Sequence, residues 1–285
     1  MPIKTKRPIR LFSSIFLGLT GLLLIILGLG LWPYKDAIWV QTKNWQQLKN
    51  TVVPYLQVYQ PEEKGPFPVV LVIPGCEGVY PDRTQSRVDW LTDQGYMAVV
   101  VDSHTGRGLD KDVVCGGYAL WGAERAGDVY VALDYVRQLP NADHDRIALL
   151  GYSHGGWTIF DTFSYNGQTP YALESIPDNL LSLVKAAVTY YPYCDIPSRA
   201  RLTYNSSIPL LTLNAGQDKT VDAESCEVLL RSWKDQELPV TTITYPDVDH
   251  GFDVSNHKNY SPVVHQQALQ QVAQFLKKNL TTKSQ

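Results

Sequence analysis

The sequence predicts an α/β fold with a mostly parallel, doubly wound sheet. After residue 50, short apolar runs bounded by Gly or Pro alternate with longer amphipathic stretches. Continuous apolar runs of this kind are typical of strands buried on both faces of a parallel sheet. Their alternation with helices implies right-handed crossovers and helices on both faces of the sheet. In such folds, ligands bind at the carboxyl ends of the strands.

The predicted elements follow one another through residues 51–285. The first strand, residues 51–60, alternates in polarity and suits a sheet edge. The later strands are predicted at residues 68–73, 97–101, 146–150, 185–191, 209–213 and 240–245. The helices are predicted at residues 83–94, 122–138, 155–164, 222–236 and 261–279.

Composition narrows the possible functions. Of 285 residues, 44% are hydrophobic and 19% are charged, which indicates a folded chain rather than a disordered one. The 25 basic and 28 acidic residues give a net charge of −3. Nucleic-acid binding depends on clustered Lys and Arg, so we do not expect a nucleic-acid partner.

The N-terminal segment predicts a membrane anchor. Residues 11–32 carry no charge and are long enough to cross a hydrocarbon core at about 1.5 Å per residue. Basic residues precede them: Lys4, Lys6, Arg7 and Arg10. The positive-inside rule then places residues 1–10 in the cytoplasm and the domain on the other side, periplasmic or extracellular. A cleaved signal peptide is disfavoured because the apolar core is long and no small-x-small site follows it.

Residues 33–50 allow two interpretations. Trp39 and Trp45 suit a membrane interface, which would make this stretch a juxtamembrane segment. The same stretch fits a first helix of the domain equally well. We assign residues 33–50 as juxtamembrane and residues 51–285 as the α/β domain.

The strand at residues 146–150 leads into a nucleophile motif. Gly151-Tyr152-Ser153-His154-Gly155 has the form G-x-S-x-G, with a buried strand before it and a helix after it. A nucleophile elbow requires that strand–turn–helix setting, with the serine at its tip. The alternative is a glycine-rich turn in which Ser153 caps the helix.

A nucleophilic serine needs a base, which in turn needs an orienting acid. In this fold they follow the serine in the order acid, then His. His250 lies in the loop after the last strand and is the favoured base, whereas His257 and His265 are expected at the surface. Asp218 follows the preceding strand and is the favoured acid, whereas Asp222 is expected to cap the next helix.

The negative charge that develops on a reacting carbonyl oxygen needs backbone N–H donors. One donor is expected from His154, the residue after the nucleophile. The second is expected from the Gly-rich loop Pro74-Gly75-Cys76-Glu77-Gly78, where we assign the N–H of Cys76. An ordinary Gly-rich turn is the alternative for this loop.

These motifs, in this order, resemble the dienelactone hydrolase family, a branch of the α/β-hydrolases. The resemblance runs from about Pro68 to Leu276. Its matching pieces are Pro74-Gly75-Cys76-Glu77-Gly78, Asp102-Ser103-His104-Thr105-Gly106-Arg107-Gly108, Gly151-Tyr152-Ser153-His154-Gly155-Gly156, Gly216-Gln217-Asp218 and His250-Gly251-Phe252. The resemblance implies an α/β-hydrolase fold and hydrolysis of esters and lactones without a metal or organic cofactor.

The resemblance has departures and adds two candidate residues. The best-known members use a cysteine nucleophile in the turn, whereas Ser153 looks more like the family's serine-type esterase relatives. Pro74 stands where related loops often carry His. Arg107 is similar in position to a family arginine that holds a substrate carboxylate, with a surface salt bridge as the alternative. Glu77, near the Gly-rich loop, is the second candidate for substrate binding.

The four cysteines allow disulfides if the domain lies outside the cytoplasm. They are Cys76, Cys115, Cys194 and Cys226, and they permit three pairings. Since Cys76 and Cys115 both fall on loops at the predicted active-site end, we expect the pairs Cys76–Cys115 and Cys194–Cys226.

The expected function is a membrane-anchored serine hydrolase that cleaves small carboxylic esters or lactones through an acyl-enzyme. One alternative is a serine peptidase of the prolyl oligopeptidase type, whose additional gating domain has no room in this length. The other is a catalytically silent hydrolase fold that serves as a binding protein.

Overall fold

The computed structural model describes residues 28–281, and within them seven strands form a single sheet. The strands are β1 Leu56–Tyr59, β2 Phe67–Ile73, β3 Met97–Val101, β4 Ala142–Tyr152, β5 Val184–Tyr190, β6 Leu210–Ala215 and β7 Val240–Tyr245. Their order across the sheet is β1-β3-β2-β4-β5-β6-β7. Only β1 runs antiparallel to its neighbour, and the other neighbouring pairs within these residues are parallel. The predicted α/β fold with a mostly parallel sheet is confirmed.

Helices cover both faces of this sheet. They are α1 Lys35–Ile38, α2 Trp45–Val52, α3 Pro81–Asp93, α4 Lys111–Cys115, α5 Gly122–Val136, α6 His154–Tyr165, α7 Ala223–Asp235 and α8 Pro262–Leu280, and residues 28–31 are also helical. Apolar side chains of α5, α6 and α7 join one face of the sheet in a core that includes Leu71, Val129 and Phe160. Those of α3 and α8 join the other face, with Leu91 and Leu276. Burying each such side chain stabilises the fold by about 1.5–3 kcal/mol.

The start of the domain differs from the sequence prediction. The first strand begins only at Leu56, because residues 45–52 form α2. Asn44 and Gln47 form a reciprocal cap at its start, each side chain accepting the other's backbone N–H at 2.9 Å. Leu48 and Val52 of α2 are buried in the core. Part of the segment assigned as juxtamembrane therefore packs on the α/β domain.

The predicted membrane anchor falls mostly outside the described residues. Residues 1–10 and 11–27 belong to the part of the chain that the structure does not describe. Across residues 28–281, no helix combines the length and apolar character needed to cross a membrane.

Helix α6 carries a buried carboxyl group. Asp161 is fully buried, and its Oδ1 accepts the Ser198 hydroxyl at 2.9 Å and the Ala200 N–H at 3.2 Å. Burial raises the pKa of Asp161 to about 7, even though these hydrogen bonds favour the charged form. Above that pH the folded state contains a buried carboxylate, which lowers the free energy of unfolding.

We expect the Asp161→Asn variant to change how stability depends on pH. In the native protein the folded state keeps this proton up to about pH 7, whereas the unfolded chain loses it near its ordinary pKa. The free energy of unfolding therefore falls as pH rises from about 4 to 7. An asparagine side chain cannot ionise, so relative to the native protein the variant should gain about 2–4 kcal/mol between pH 5 and pH 8.

Urea unfolding at the two pH values measures this gain. The exposed Asp145→Asn variant is the control and should show no gain. Parallel pH profiles for the native protein and Asp161→Asn would contradict the raised pKa of Asp161.

Candidate active site

Ser153 lies at the tip of a tight turn between β4 and α6. Its φ of 53° is in the left-handed region, which is strained for a residue with a side chain. A Cβ on Gly155 would lie 2.0 Å from the carbonyl oxygen of Ile73, and one on Gly151 would lie 2.5 Å from that of Gly155. The hydroxyl of Ser153 does not cap α6. The turn therefore has the shape of a nucleophile elbow rather than a serine-capped turn.

Three loops bring Ser153, His250 and Asp218 into one hydrogen-bonded line. Ser153 Oγ lies 2.9 Å from His250 Nε2. His250 Nδ1 lies 2.7 Å from Asp218 Oδ2, and the Asp218 carboxylate is buried. When Nδ1–H donates to Asp218, Nε2 is left to accept the Ser153 proton. The three residues predicted from separate motifs thus form one line, in which His250 lies at hydrogen-bond distance from both Ser153 and Asp218.

Backbone N–H groups fix the loops that carry the acid and the base. The second carboxylate oxygen of Asp218 accepts two N–H groups of its own loop, each at 2.9 Å. Asp249 accepts the N–H of His250 at 2.7 Å and that of Lys219 at 2.9 Å, which joins the two loops. Asp222 caps α7, as predicted.

The two predicted oxyanion donors face the same cavity as Ser153. Cys76 and His154 both line it. Among residues 28–281, neither the N–H of Cys76 nor that of His154 donates to a protein acceptor. Both N–H groups are therefore free to bind an oxyanion.

Arg125, which the sequence analysis did not single out, joins the two segments that carry these donors. Its Nη1 donates to Pro74 O at 2.9 Å and to His154 Nδ1 at 3.1 Å, and its Nε donates to Ser103 Oγ at 2.9 Å. The side chain is fully buried in α5. A charged residue among apolar ones in a core helix is the sequence signal that could have identified it.

Burial lowers the pKa of both Arg125 and His154. Burial and the nearby charge of Arg107 lower the pKa of Arg125 to about 10, against the opposing effect of Asp128. Arg125 stays protonated near neutral pH. Burial and the charge of Arg125 hold the pKa of His154 well below its usual range, so the His154 ring is neutral and its Nδ1 accepts a hydrogen bond from Arg125.

A second buried network, of hydrogen bonds and an ion pair, packs against the imidazole of His250. The ring of Tyr191 packs on the imidazole with centroids 4.4 Å apart, and its hydroxyl donates to Asp253. Asp253 also accepts from Arg87 Nη2 at 2.9 Å. Burial alone would raise the pKa of Asp253, but Arg87 and the Tyr191 hydroxyl lower it, so the carboxylate stays charged.

The structure corrects the role assigned to Arg107. Its guanidinium forms paired bonds to the buried Asp128 at 2.7 and 2.9 Å and lines neither cavity beside Ser153. The charge of Arg107 is thus paired inside the protein and lies away from both cavities, and its ion pair is buried rather than at the surface. Glu77 does lie at the site, where it pairs with Arg83.

Two cavities meet at Ser153. One, of about 480 Å³, is lined mainly by apolar and aromatic side chains. The other, of about 280 Å³, contains charged and polar side chains: Glu77, Arg83, Arg87, His250 and His257. His257, expected at the surface, is thus half-buried in a cavity wall. Cys76, Cys115 and Ser153 line both cavities, so the two spaces share the nucleophile.

Disulfides connect Cys76 with Cys115 and Cys194 with Cys226, the expected pairing. The first ties the loop of the Cys76 donor to α4. The second lies in the core, and neither Cys194 nor Cys226 lines a cavity at Ser153.

The model of the dienelactone hydrolase family matches residues 56–280. The chain belongs to the dienelactone hydrolase family. Its sheet and helices have the α/β-hydrolase fold.

Known relatives of this dienelactone hydrolase family member are distant. It is 23% identical over 245 residues to a Synechocystis protein that carries the name putative carboxymethylenebutenolidase, covering 78% of this chain and 90% of the relative. It is 24% identical over 185 residues to dipeptidyl peptidase family member 6 of Caenorhabditis elegans, covering 57% of this chain and 25% of that peptidase. The structure of Thermogutta terrifontis esterase 2 superposes with a TM-score of 0.60 at 17% identity, covering 80% of this chain and 91% of the esterase. This structural likeness shows a shared fold.

We expect Arg125→Lys to lower kcat by about tenfold to a hundredfold with a smaller change in KM. A lysine lacks the planar guanidinium whose Nη1 bonds Pro74 and His154 while its Nε bonds Ser103, so the two oxyanion donors lose their common support. Steady-state kinetics on an aryl acetate ester measures the effect. Arg137→Lys, at the half-exposed end of α5, is the control. A folded Arg125→Lys variant with native kcat would contradict this positioning role.

The two disulfides should differ in their effect on catalysis. The cysteines are 39 and 32 residues apart, so removing either bond should lower the free energy of unfolding by about 4 kcal/mol. We expect the Cys76→Ser/Cys115→Ser variant to lose kcat by at least about tenfold, because the loop of the oxyanion donor is released. The Cys194→Ser/Cys226→Ser variant should keep kcat at temperatures where it is folded. Equal kcat in the two variants would contradict the distinction.

Proposed function

We propose that this protein is a serine hydrolase that cleaves carboxylic esters or lactones through an acyl-enzyme intermediate. The line of hydrogen bonds from Asp218 through His250 to Ser153 is the observation that carries the proposal. This arrangement makes a serine hydroxyl nucleophilic at neutral pH.

In the first half of the reaction, Ser153 Oγ attacks the carbonyl carbon while its proton passes to His250 Nε2. Asp218 holds the imidazole in the correct tautomer and stabilises its positive charge. The tetrahedral intermediate then collapses, the bond to the alcohol oxygen breaks, and His250 returns the proton to that oxygen. The products are the free alcohol and Ser153 acylated on Oγ.

In the second half, water takes the place of the alcohol. His250 removes a proton from the water as the water oxygen attacks the acyl carbon, and the bond between that carbon and Ser153 Oγ breaks. The carboxylic acid leaves and Ser153 recovers its proton. The N–H groups of Cys76 and His154 stabilise the oxyanion in both halves, which in related chemistry is worth about 3–4 kcal/mol per donor.

A peptidase is the second candidate, because some relatives are peptidases. The chain spans about a quarter of the length of the Caenorhabditis elegans peptidase that it matches. The same Ser153, His250 and Asp218 would serve amide cleavage. Matched ester and anilide substrates with the same acyl group separate the two, and faster cleavage of the anilide would favour the peptidase.

We also propose that the N-terminal segment anchors the domain at the non-cytoplasmic face of a membrane. The uncharged stretch at residues 11–32 and the basic residues before it support this placement. The two disulfides support it as well, since such bonds persist in oxidising compartments.

We expect a fluorophosphonate to add once to the purified full chain and not at all to Ser153→Ala. Only an activated serine attacks the phosphorus centre. Intact-mass spectrometry measures the adduct, and ester hydrolysis by the same samples should disappear with it. Folded native protein that gains no adduct would instead support the silent binding fold.

A further inference from the structure

Residues at the end of the apolar N-terminal segment and directly after it form a wall of the larger cavity. Leu31, Tyr34 and Ile38 line this cavity together with Ser153. Leu31 also belongs to the uncharged stretch of residues 11–32. The end of the predicted anchor and the entrance to the site are therefore formed by the same few residues.

The lining of this cavity suits an apolar acyl group. Among the described residues that line it, none is Asp, Glu, Lys or Arg, and the His154 ring is neutral. Trp121, Trp157 and Val221 contribute further apolar surface. Each methylene group of an acyl chain buried there would add to the affinity for that chain. The smaller cavity, which holds Glu77 and Arg83, suits water and a polar leaving group instead.

The mouth of the larger cavity exposes apolar surface to solvent. Leu31 is 46% exposed and Ile196 is 74% exposed, and both line the cavity. Next to the wall residues in sequence, Trp32 and Trp39 are 65% and 67% exposed. Exposed apolar patches at a cavity mouth mark ligand or membrane contacts, and Trp is enriched at membrane interfaces.

The short separation along the chain between Leu31 and the end of the predicted span restricts where this apolar surface can lie relative to a bilayer. Leu31 lies one residue from the end of the predicted span, and a residue extends the chain by at most about 3.6 Å. With the anchor in a bilayer, the cavity mouth is held at the lipid surface. An apolar molecule dissolved in that bilayer could then enter the cavity without crossing water.

We propose that the larger cavity receives the acyl chain of an ester dissolved in a lipid bilayer, and that Leu31, Tyr34 and Ile38 form the wall that selects this chain. The inference rests on the proposed roles of Ser153 as nucleophile and of the N-terminal segment as anchor. It extends the substrate class from small soluble esters to amphiphilic ones of medium acyl length.

The first experiment compares p-nitrophenyl acetate with p-nitrophenyl octanoate, using the full chain in phosphatidylcholine vesicles. Ile38→Ser and the more exposed Leu31→Ser should each lower kcat/KM for octanoate about tenfold and leave acetate within about twofold. Leu202→Ser is the control, since Leu202 is 84% exposed and lies outside the cavity. An equal loss for both esters, or no loss for either, would overturn the acyl-wall assignment.

The second experiment tests the route of entry. An octanoyl ester of a long-chain alcohol, which exchanges slowly between vesicles, is placed either in the vesicles that carry the protein or in separate protein-free vesicles, at the same total ester and lipid. The initial rate should be at least about tenfold higher when ester and protein share a bilayer. Equal initial rates in the two arrangements would overturn entry from the membrane.

The fluorophosphonate adduct separates these failures from a failure of the proposed function. Native protein that gains the adduct and hydrolyses acetate keeps Ser153 as the nucleophile, even if the wall variants behave like the control. Protein that gains no adduct loses both proposals.

Discussion

The close approach of α6 to β2 is the constraint on which the active site depends. Helix α6 starts directly after Ser153, and Gly155 lies so near the Ile73 carbonyl that no side chain fits between them. This contact brings the end of β2, and the loop that follows it, beside the nucleophile. One close packing interaction therefore places both the strained serine and the two oxyanion donors.

Buried charges then stabilise this arrangement on two sides. Arg125 joins Pro74 to His154 beneath the oxyanion donors, and Arg87 with Asp253 and Tyr191 supports His250. Burying charges is costly unless they are paired and hydrogen-bonded, and it commits each group to one geometry. These networks reduce the freedom of the reacting groups before any substrate binds, which is the condition for effective stabilisation of a transition state.

The two cavities beside Ser153 differ in polarity, which favours one orientation of a bound ester. An apolar cavity and a charged cavity share the nucleophile, so the two halves of an ester would meet different surroundings. The disulfide between Cys76 and Cys115 lies where the two cavities meet, and it connects the oxyanion loop with α4. Support of the oxyanion loop and the boundary between the two cavities thus coincide in one bond.

The sequence by itself determined the mostly parallel sheet, the alternation of its strands with the main helices along the chain, and the residues of the hydrogen-bonded line. Apolar runs reveal buried strands because they are local in sequence, and the rule that sites follow strand ends then selects Ser153, Asp218 and His250. Only the tertiary structure decided which arginine supports the site. Arg107 and Arg125 are both polar residues near motifs, and their roles depend on whether Asp128 or Pro74 lies opposite them in space. The same holds for α2 and for the wall at residues 31–38, because their partners come from distant parts of the chain and no local pattern encodes them.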